Sequence, residues 1–136
     1  MPKIFILDDD RISNELNKLV FKLMGITDID IRTTGHDALL YFEDCIKENE
    51  FPDLMFIDLN LPGMSGFDFI EKYETLYKSY MPGRRIIMLT NSILEEDRDT
   101  AIKFDSVLDF LSKPLSRKIL MEIFQKADVD FPADES

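Results

Sequence analysis

The chain has 136 residues, 45% of them hydrophobic, and a formal net charge of −11. That length suits one domain with a full core, and the apolar content excludes a disordered chain. The acidic balance opposes nucleic-acid phosphates, no apolar run nears the ~20 residues of a membrane span, and a lone cysteine, Cys45, excludes an internal disulfide. We expect a cytoplasmic protein with no nucleic-acid or membrane partner.

Strand and helix signals alternate along the whole chain. Ile4-Phe5-Ile6-Leu7 is a short apolar run of the kind buried on both faces of a parallel sheet, and it ends in Asp8-Asp9-Asp10. A helical pattern follows at Ile12, Leu16, Leu19, Val20 and Leu23, and Gly25 is a stop signal. Asp10 can cap that helix. Ile29 and Ile31 mark an alternating edge strand. Thr34 to Asp37 resembles a capping box that opens a helix through Ala38, Leu39, Phe42 and Ile46.

Pro52 precedes a second buried run, Leu54-Met55-Phe56-Ile57, which ends at Asp58 and is followed by Leu59-Asn60-Leu61-Pro62-Gly63. Ser65 to Asp68 starts a third helix, with Phe67, Ile70 and Tyr77 facing inward. After the Pro82-Gly83 turn, Ile86-Ile87-Met88-Leu89 reaches Thr90. Ser92 to Glu95 reads as a capping box for a charged helix to about Phe104. Val107 to Leu111 is the last strand, closed by Ser112-Lys113-Pro114. Leu115, Ile119, Leu120, Ile123 and Phe124 make the last amphipathic helix. We divide the chain into a domain at 1–127 and an acidic tail at 128–136, expected to fray.

Five βα units with right-handed crossovers give a doubly wound α/β fold with helices on both faces. Ligands in such sheets sit beyond the carboxyl ends of the strands. Those ends here carry Asp8 and Asp9, then Asp58, then Thr90, then Lys113. Full charges ~4 Å apart repel by roughly 4 kcal/mol at an effective dielectric of ~20, so three clustered carboxylates favour a bound cation. Carboxylates, a hydroxyl and an ammonium together suit phosphoryl chemistry.

In these motifs the chain resembles the response-regulator receiver domains (CheY-like) of two-component signalling. The resemblance rests on Ile-Leu-Asp8-Asp9-Asp10, the segment Pro52 to Gly66 around Asp58, Leu89-Thr90, and Phe110-Leu-Ser-Lys113-Pro114, and it covers about residues 3–127. It implies a flavodoxin-like strand order 2-1-3-4-5, the order the general rule for such sheets already attaches to this fold. It further implies a stand-alone regulator, not an enzyme in the ordinary sense, with self-catalysed phosphotransfer and autodephosphorylation. Asp58 would accept a phosphoryl group from a histidine kinase or histidine phosphotransfer protein, and a downstream protein would read the result. Asp8, Asp9, Asp58 and the backbone carbonyl of Asn60 would hold Mg²⁺. Lys113 would pair with the phosphate, and Thr90 and Phe110 would form the switch. Asn91, and Phe104 to Val107 in place of the usual Gly-Ala, depart from the family pattern. From the sequence, the Lys113-Pro114 bond is expected to be cis.

Two other readings compete. Asp8 as nucleophile and Asp10 as general acid fit the loop of haloacid-dehalogenase-like phosphatases, a reading that also wants an acidic pair after the lysine, for which the tail offers Asp128 and Asp130. Alternatively, the domain could bind partners without being phosphorylated. His36 reads as exposed, and Arg84-Arg85 and Arg117-Lys118 as solvated charges.

Overall fold

The computed structural model describes residues 1–130. Five parallel strands, β1 (Ile4–Leu7), β2 (Ile29–Arg32), β3 (Leu54–Asp58), β4 (Ile86–Thr90) and β5 (Val107–Ser112), form one sheet in the order β2-β1-β3-β4-β5. Between and after them run α1 (Arg11–Leu23), α2 (Gly35–Glu48), α3 (Gly66–Leu76), α4 (Glu95–Ala101) and α5 (Arg117–Ala127), with a 3₁₀ turn at Lys78–Tyr80. The expected fold class and strand order are those observed. The expected tail begins with Asp128, which is the left-handed C-cap of α5, while residues 131–136 lie outside the described residues.

Alternation along each strand divides the core in two. Phe5, Leu7, Met55, Ile57, Ile86, Met88 and Phe110 face α2, α3 and α4. Ile4, Ile6, Leu54, Phe56, Ile87 and Leu89 face α1 and α5. The central strands are buried on both faces, which is why they read as unbroken apolar runs. The first layer is rich in rings: Phe42 lies within 5.5 Å of Phe5, Tyr41, Tyr73 and Tyr77, centroid to centroid.

Helix starts follow the local signals at three places. Asp10 caps α1 by accepting from the amides of Ile12 and Ser13, Thr34 caps α2 through the amide of Asp37, and Ser65 with Asp68 closes a reciprocal box on α3. Two expectations fail. Ser92 does not cap α4: the N-cap is Leu94 with no side-chain bond, and the helix ends at Ala101, short of Phe104. The amide of Ser92 donates instead to Thr90 Oγ1 at 3.3 Å, so the turn competes with the cap and wins. The apolar pattern of α1 also points the wrong way. Ile12, Leu16, Leu19 and Leu23 are exposed, whereas Asn14, Asn17, Phe21 and Met24 are buried.

The two basic pairs also separate. Arg84 and Arg85 are not free charges, because their guanidinium groups donate to the carbonyls of Val107, Pro82 and Pro52. They tie strand ends together at the edge opposite the acidic rim. Arg117, Lys118 and His36 are exposed.

The unusual segment before β5 has a local solution. Ser106 is fully buried, and both its amide and its hydroxyl donate to Glu74 Oε2, at 2.8 and 2.6 Å. Its carbonyl accepts from the amides of both Arg85 and Ile86 where the β4–β5 register shifts. Glu74→Ala would leave two buried donors unpaired, at a cost of about 1–3 kcal/mol. A lower urea midpoint for that variant, with unchanged slope, is the expected outcome.

Candidate functional site

The sheet order makes β1 and β3 neighbours, with Leu7 opposite Ile57, so the residue after each is an aspartate at the same rim. On the far side of β3, Asp58 stands opposite Leu89, and Thr90 stands opposite Ser112. Lys113 then follows β5, its amide donating to the Thr90 carbonyl at 2.8 Å. Four strand ends thus deliver the five predicted side chains to one place.

Asp8 and Asp58 are almost wholly buried, Asp9 is exposed, and one carboxylate oxygen of each lies within 4.8 Å of the others. The Lys113 ammonium sits between the two buried groups, 2.6 Å from Asp8 Oδ2 and 3.5 Å from Asp58 Oδ2. Asp8 is further held by the Asp10 amide on Oδ1 at 2.9 Å and by the Ser13 hydroxyl on Oδ2 at 2.9 Å. Asp58 has one backbone donor, the Asn60 amide, at 3.3 Å. The two carboxylates are therefore unequal. Asp8 is heavily donated to, while Asp58 keeps acceptor capacity directed at the rim.

Their electrostatics follow from this difference. Burial, then the charge of Asp8, raise the Asp58 pKa to about 6, against the smaller opposing effects of Lys113 and the Asn60 amide. For Lys113, burial alone would lower the pKa, but the bond to Asp8 and the charges of Asp58 and Asp8 outweigh it and hold the pKa above its ordinary value. Lysine thus stays charged, and the weakly supported carboxylate is the one that feels the crowding.

Three further residues shape the loops. Gly66 packs so closely behind Asp58 that a Cβ there would fall 2.6 Å from the Asp58 carbonyl oxygen and 2.9 Å from Leu59 Cα. Its amide donates to the Leu59 carbonyl at 2.8 Å. Asn14 donates from Nδ2 to the Asp8 carbonyl at 2.9 Å. Ser13, Asn14 and Gly66 were not singled out as site residues in the sequence. For Ser13 and Asn14 the available signal was two polar residues one turn into a helix that starts at the rim. The Lys113-Pro114 bond is cis, as expected.

Thr90 and Phe110 are both buried. The Thr90 hydroxyl is occupied locally, donating to the Ser92 carbonyl at 3.1 Å and accepting from its amide. Phe110 already lies in the core, with the Arg98 guanidinium 5.8 Å from its ring centroid. Asn91 is exposed beside the rim. Asp10, the general acid of the phosphatase reading, turns away to cap α1. The acidic pair after the lysine that this reading also wants is not built by Asp128 and Asp130: Asp128 ends α5, and no strand follows β5 among the described residues.

A doubly wound sheet with paired aspartates, a lone aspartate, a threonine and a lysine at its carboxyl rim defines a class: phosphoacceptor signalling domains. The family model described as response regulator receiver domain matches residues 4–125, and the chain belongs to that family. It is 29% identical over 126 residues to the hybrid signal transduction histidine kinase L of Dictyostelium discoideum, covering 91% of this chain and 7% of that protein. It is likewise 29% identical over 123 residues to the alkaline phosphatase synthesis transcriptional regulatory protein SphR of Synechococcus elongatus, covering 88% of this chain and 46% of that one. The chain thus spans less than half of either relative. In fold it is similar to a two component response regulator from Cytophaga hutchinsonii, with a TM-score of 0.86, 24% identity, and coverage of 92% and 95% of the two chains. Receiver domains are signalling modules that work with phosphodonor kinases and downstream targets. No helix among the described residues is long and apolar enough to cross a membrane.

The raised Asp58 pKa sets a pH dependence. Because the folded-state value, about 6, lies above the unfolded 3.8, this group stabilises the fold at low pH and that contribution is lost as pH rises through about 6. In chelator-containing buffer, Asp58→Asn should raise stability at pH 8 by about 1–3 kcal/mol, and the gain should vanish near pH 4. Denaturant unfolding at the two pH values checks both halves.

Proposed function

We propose that this chain is a response regulator that takes a phosphoryl group on Asp58 from the phosphohistidine of a kinase or phosphotransfer protein. The observation that carries the reading is the inequality of the two buried carboxylates. Asp8 accepts from an ammonium at 2.6 Å, a hydroxyl and an amide, whereas Asp58 faces the rim with one long amide contact and the same ammonium 3.5 Å away. An ionised Asp58 oxygen attacks phosphorus in line with the leaving imidazole. The O–P bond forms as the P–N bond breaks, and the electron pair goes to the imidazole nitrogen. Lys113, 3.5 Å from Asp58 Oδ2, is placed to pair with the oxygens of the new acyl phosphate.

Asp8, Asp9 and Asp58 form an all-oxygen donor set suited to a hard divalent cation such as Mg²⁺, and the Asn60 carbonyl would complete it. When bound, the cation supplies charge neutralisation for the incoming phosphoryl group. Ordinary hydrolytic catalysis is not part of this reading: the chemistry begins and ends on the protein's own carboxylate. We place the protein in the cytoplasm, as a domain at 1–127 that signals to a separate target.

Thr90 and Phe110 would carry the signal. The Thr90 hydroxyl can exchange its Ser92 carbonyl for a phosphoryl oxygen, which frees the β4–α4 turn. Because the Phe110 ring is already inward, the change would be read as loosening around α4 rather than as entry of the ring. Thr90→Ala should therefore accept phosphoryl groups at a rate within about threefold of wild type but lose the amide-exchange response of residues 92–112 to beryllofluoride.

Incubation with acetyl phosphate and Mg²⁺ tests the acceptor. Intact mass should rise by one phosphoryl group in wild type and not at all in Asp58→Asn. Labelling of Asp58→Asn at full rate would overturn the assignment. Asp9→Ala should weaken Mg²⁺ binding by about tenfold or more in titration calorimetry.

A further inference from the structure

Helix α1 is built inside out. Ile12, Leu16, Leu19 and Leu23 are 72%, 51%, 52% and 73% exposed. Their spacing of four, three and four is that of a coiled-coil seam. The buried side of the same helix holds Asn14, Asn17 and Phe21, so the seam points away from the sheet. Asn14 Oδ1 and Asn17 Nδ2 are buried without a hydrogen-bond partner among the described residues. A sequence optimised for the lone domain would place its leucines inward. Here they face water along a helix about 20 Å long.

We propose that this face pairs antiparallel with α1 of a second copy of the chain. A two-fold axis between Leu16 and Leu19 sets Ile12 against Leu23 of the other copy and Leu16 against Leu19, so the seam is its own complement. The flanking charges select the direction. Glu15 and Lys22 both lie on the same flank of the seam, and antiparallel pairing brings Glu15 of each copy against Lys22 of the other, twice over. Parallel pairing would set Glu15 against Val20 and form no ion pair. Both groups are available: Lys22 has no acidic partner among the described residues, and Glu15 only reaches Lys18 at 3.9 Å on the exposed surface.

An interface of two such helices falls in the small class, below about 1,200 Å², so the dimer is weak and reversible. Ile12 adjoins Asp10 and the rim, so the second helix ends beside the phosphoacceptor site. Self-association and docking of a large phosphodonor then draw on one surface.

Sedimentation velocity of the whole chain, from low micromolar to near-millimolar concentration, tests this without any phosphorylation. Wild type should move from monomer toward twice the monomer mass. Leu16→Gln/Leu19→Gln should stay monomeric, with an unchanged circular dichroism spectrum. Lys22→Glu should weaken association roughly tenfold, because both ion pairs become repulsions. The double swap Glu15→Lys/Lys22→Glu should restore it to within about threefold of wild type. A wild type that is monomeric throughout, or a double swap that does not restore dimers, overturns the proposal. So does a monomeric wild type whose leucine variant loses transfer from a phosphohistidine protein but still labels with acetyl phosphate, since the seam would then belong to the donor.

Discussion

Three carboxylates at one sheet rim repel each other, and the arrangement of the site answers that repulsion. Lys113 lies between the two buried members, near enough to both to remain charged despite its burial. One ammonium cannot balance three carboxylates. The residual strain falls on Asp58, whose pKa rises, and the site is left short of positive charge by an amount that a divalent cation would meet. Reactivity and instability thus have one source. The same crowding that weakens the metal-free fold underlies the phosphoryl transfer proposed for the rim.

That balance depends on backbone placement far from the charges. Asp8 and Asp58 converge only because β1 and β3 are adjacent, although about fifty residues separate them in the chain. Gly66 lets α3 start hard against the Asp58 carbonyl, where any side chain would push the acceptor strand aside. Asp10 and Asn14 join the rim to α1, one through its capping bonds and the other through the Asp8 carbonyl. Ser13 and Asn14 of α1 are turned to the site, on the side opposite the exposed leucines. Site architecture and the exposed seam are linked through a single helix.

The departures from the family pattern also have local physical reasons. Ser106 occupies a fully buried position before β5, and Glu74 satisfies both of its donors. A pair of hydrogen bonds replaces the small apolar residues usual there, so the strand keeps its place beside β4 through a shift in register. At the other end of β5, Phe110 fills the space beneath α4 and meets Arg98. The short α4, with no side-chain cap and only one buried residue, has little packing to resist rearrangement.

Much of this was legible in the residue order. Apolar runs ending in acidic, hydroxyl or basic residues identified the parallel sheet and its reactive rim, because strands buried on both faces leave no other place for charge. Caps at Asp10, Thr34 and Ser65 were readable for a similar reason: their partners lie within three residues. What failed was whatever depended on distant neighbours. The periodicity of α1 states that the helix has an apolar face but not which way it turns, and the demands of Asp8 and the packing of Phe21 turned that face outward. Ser92 is the local exception: its capping signal lost to a turn with Thr90, two residues away. Ser106 was visible only as a departure, since its partner Glu74 is 32 residues away. The sequence by itself determined which side chains stand at the strand ends. Tertiary structure alone decided which carboxylate would be heavily donated to and which left with free acceptor capacity, because that depends on where one lysine, 105 residues from Asp8, comes to rest.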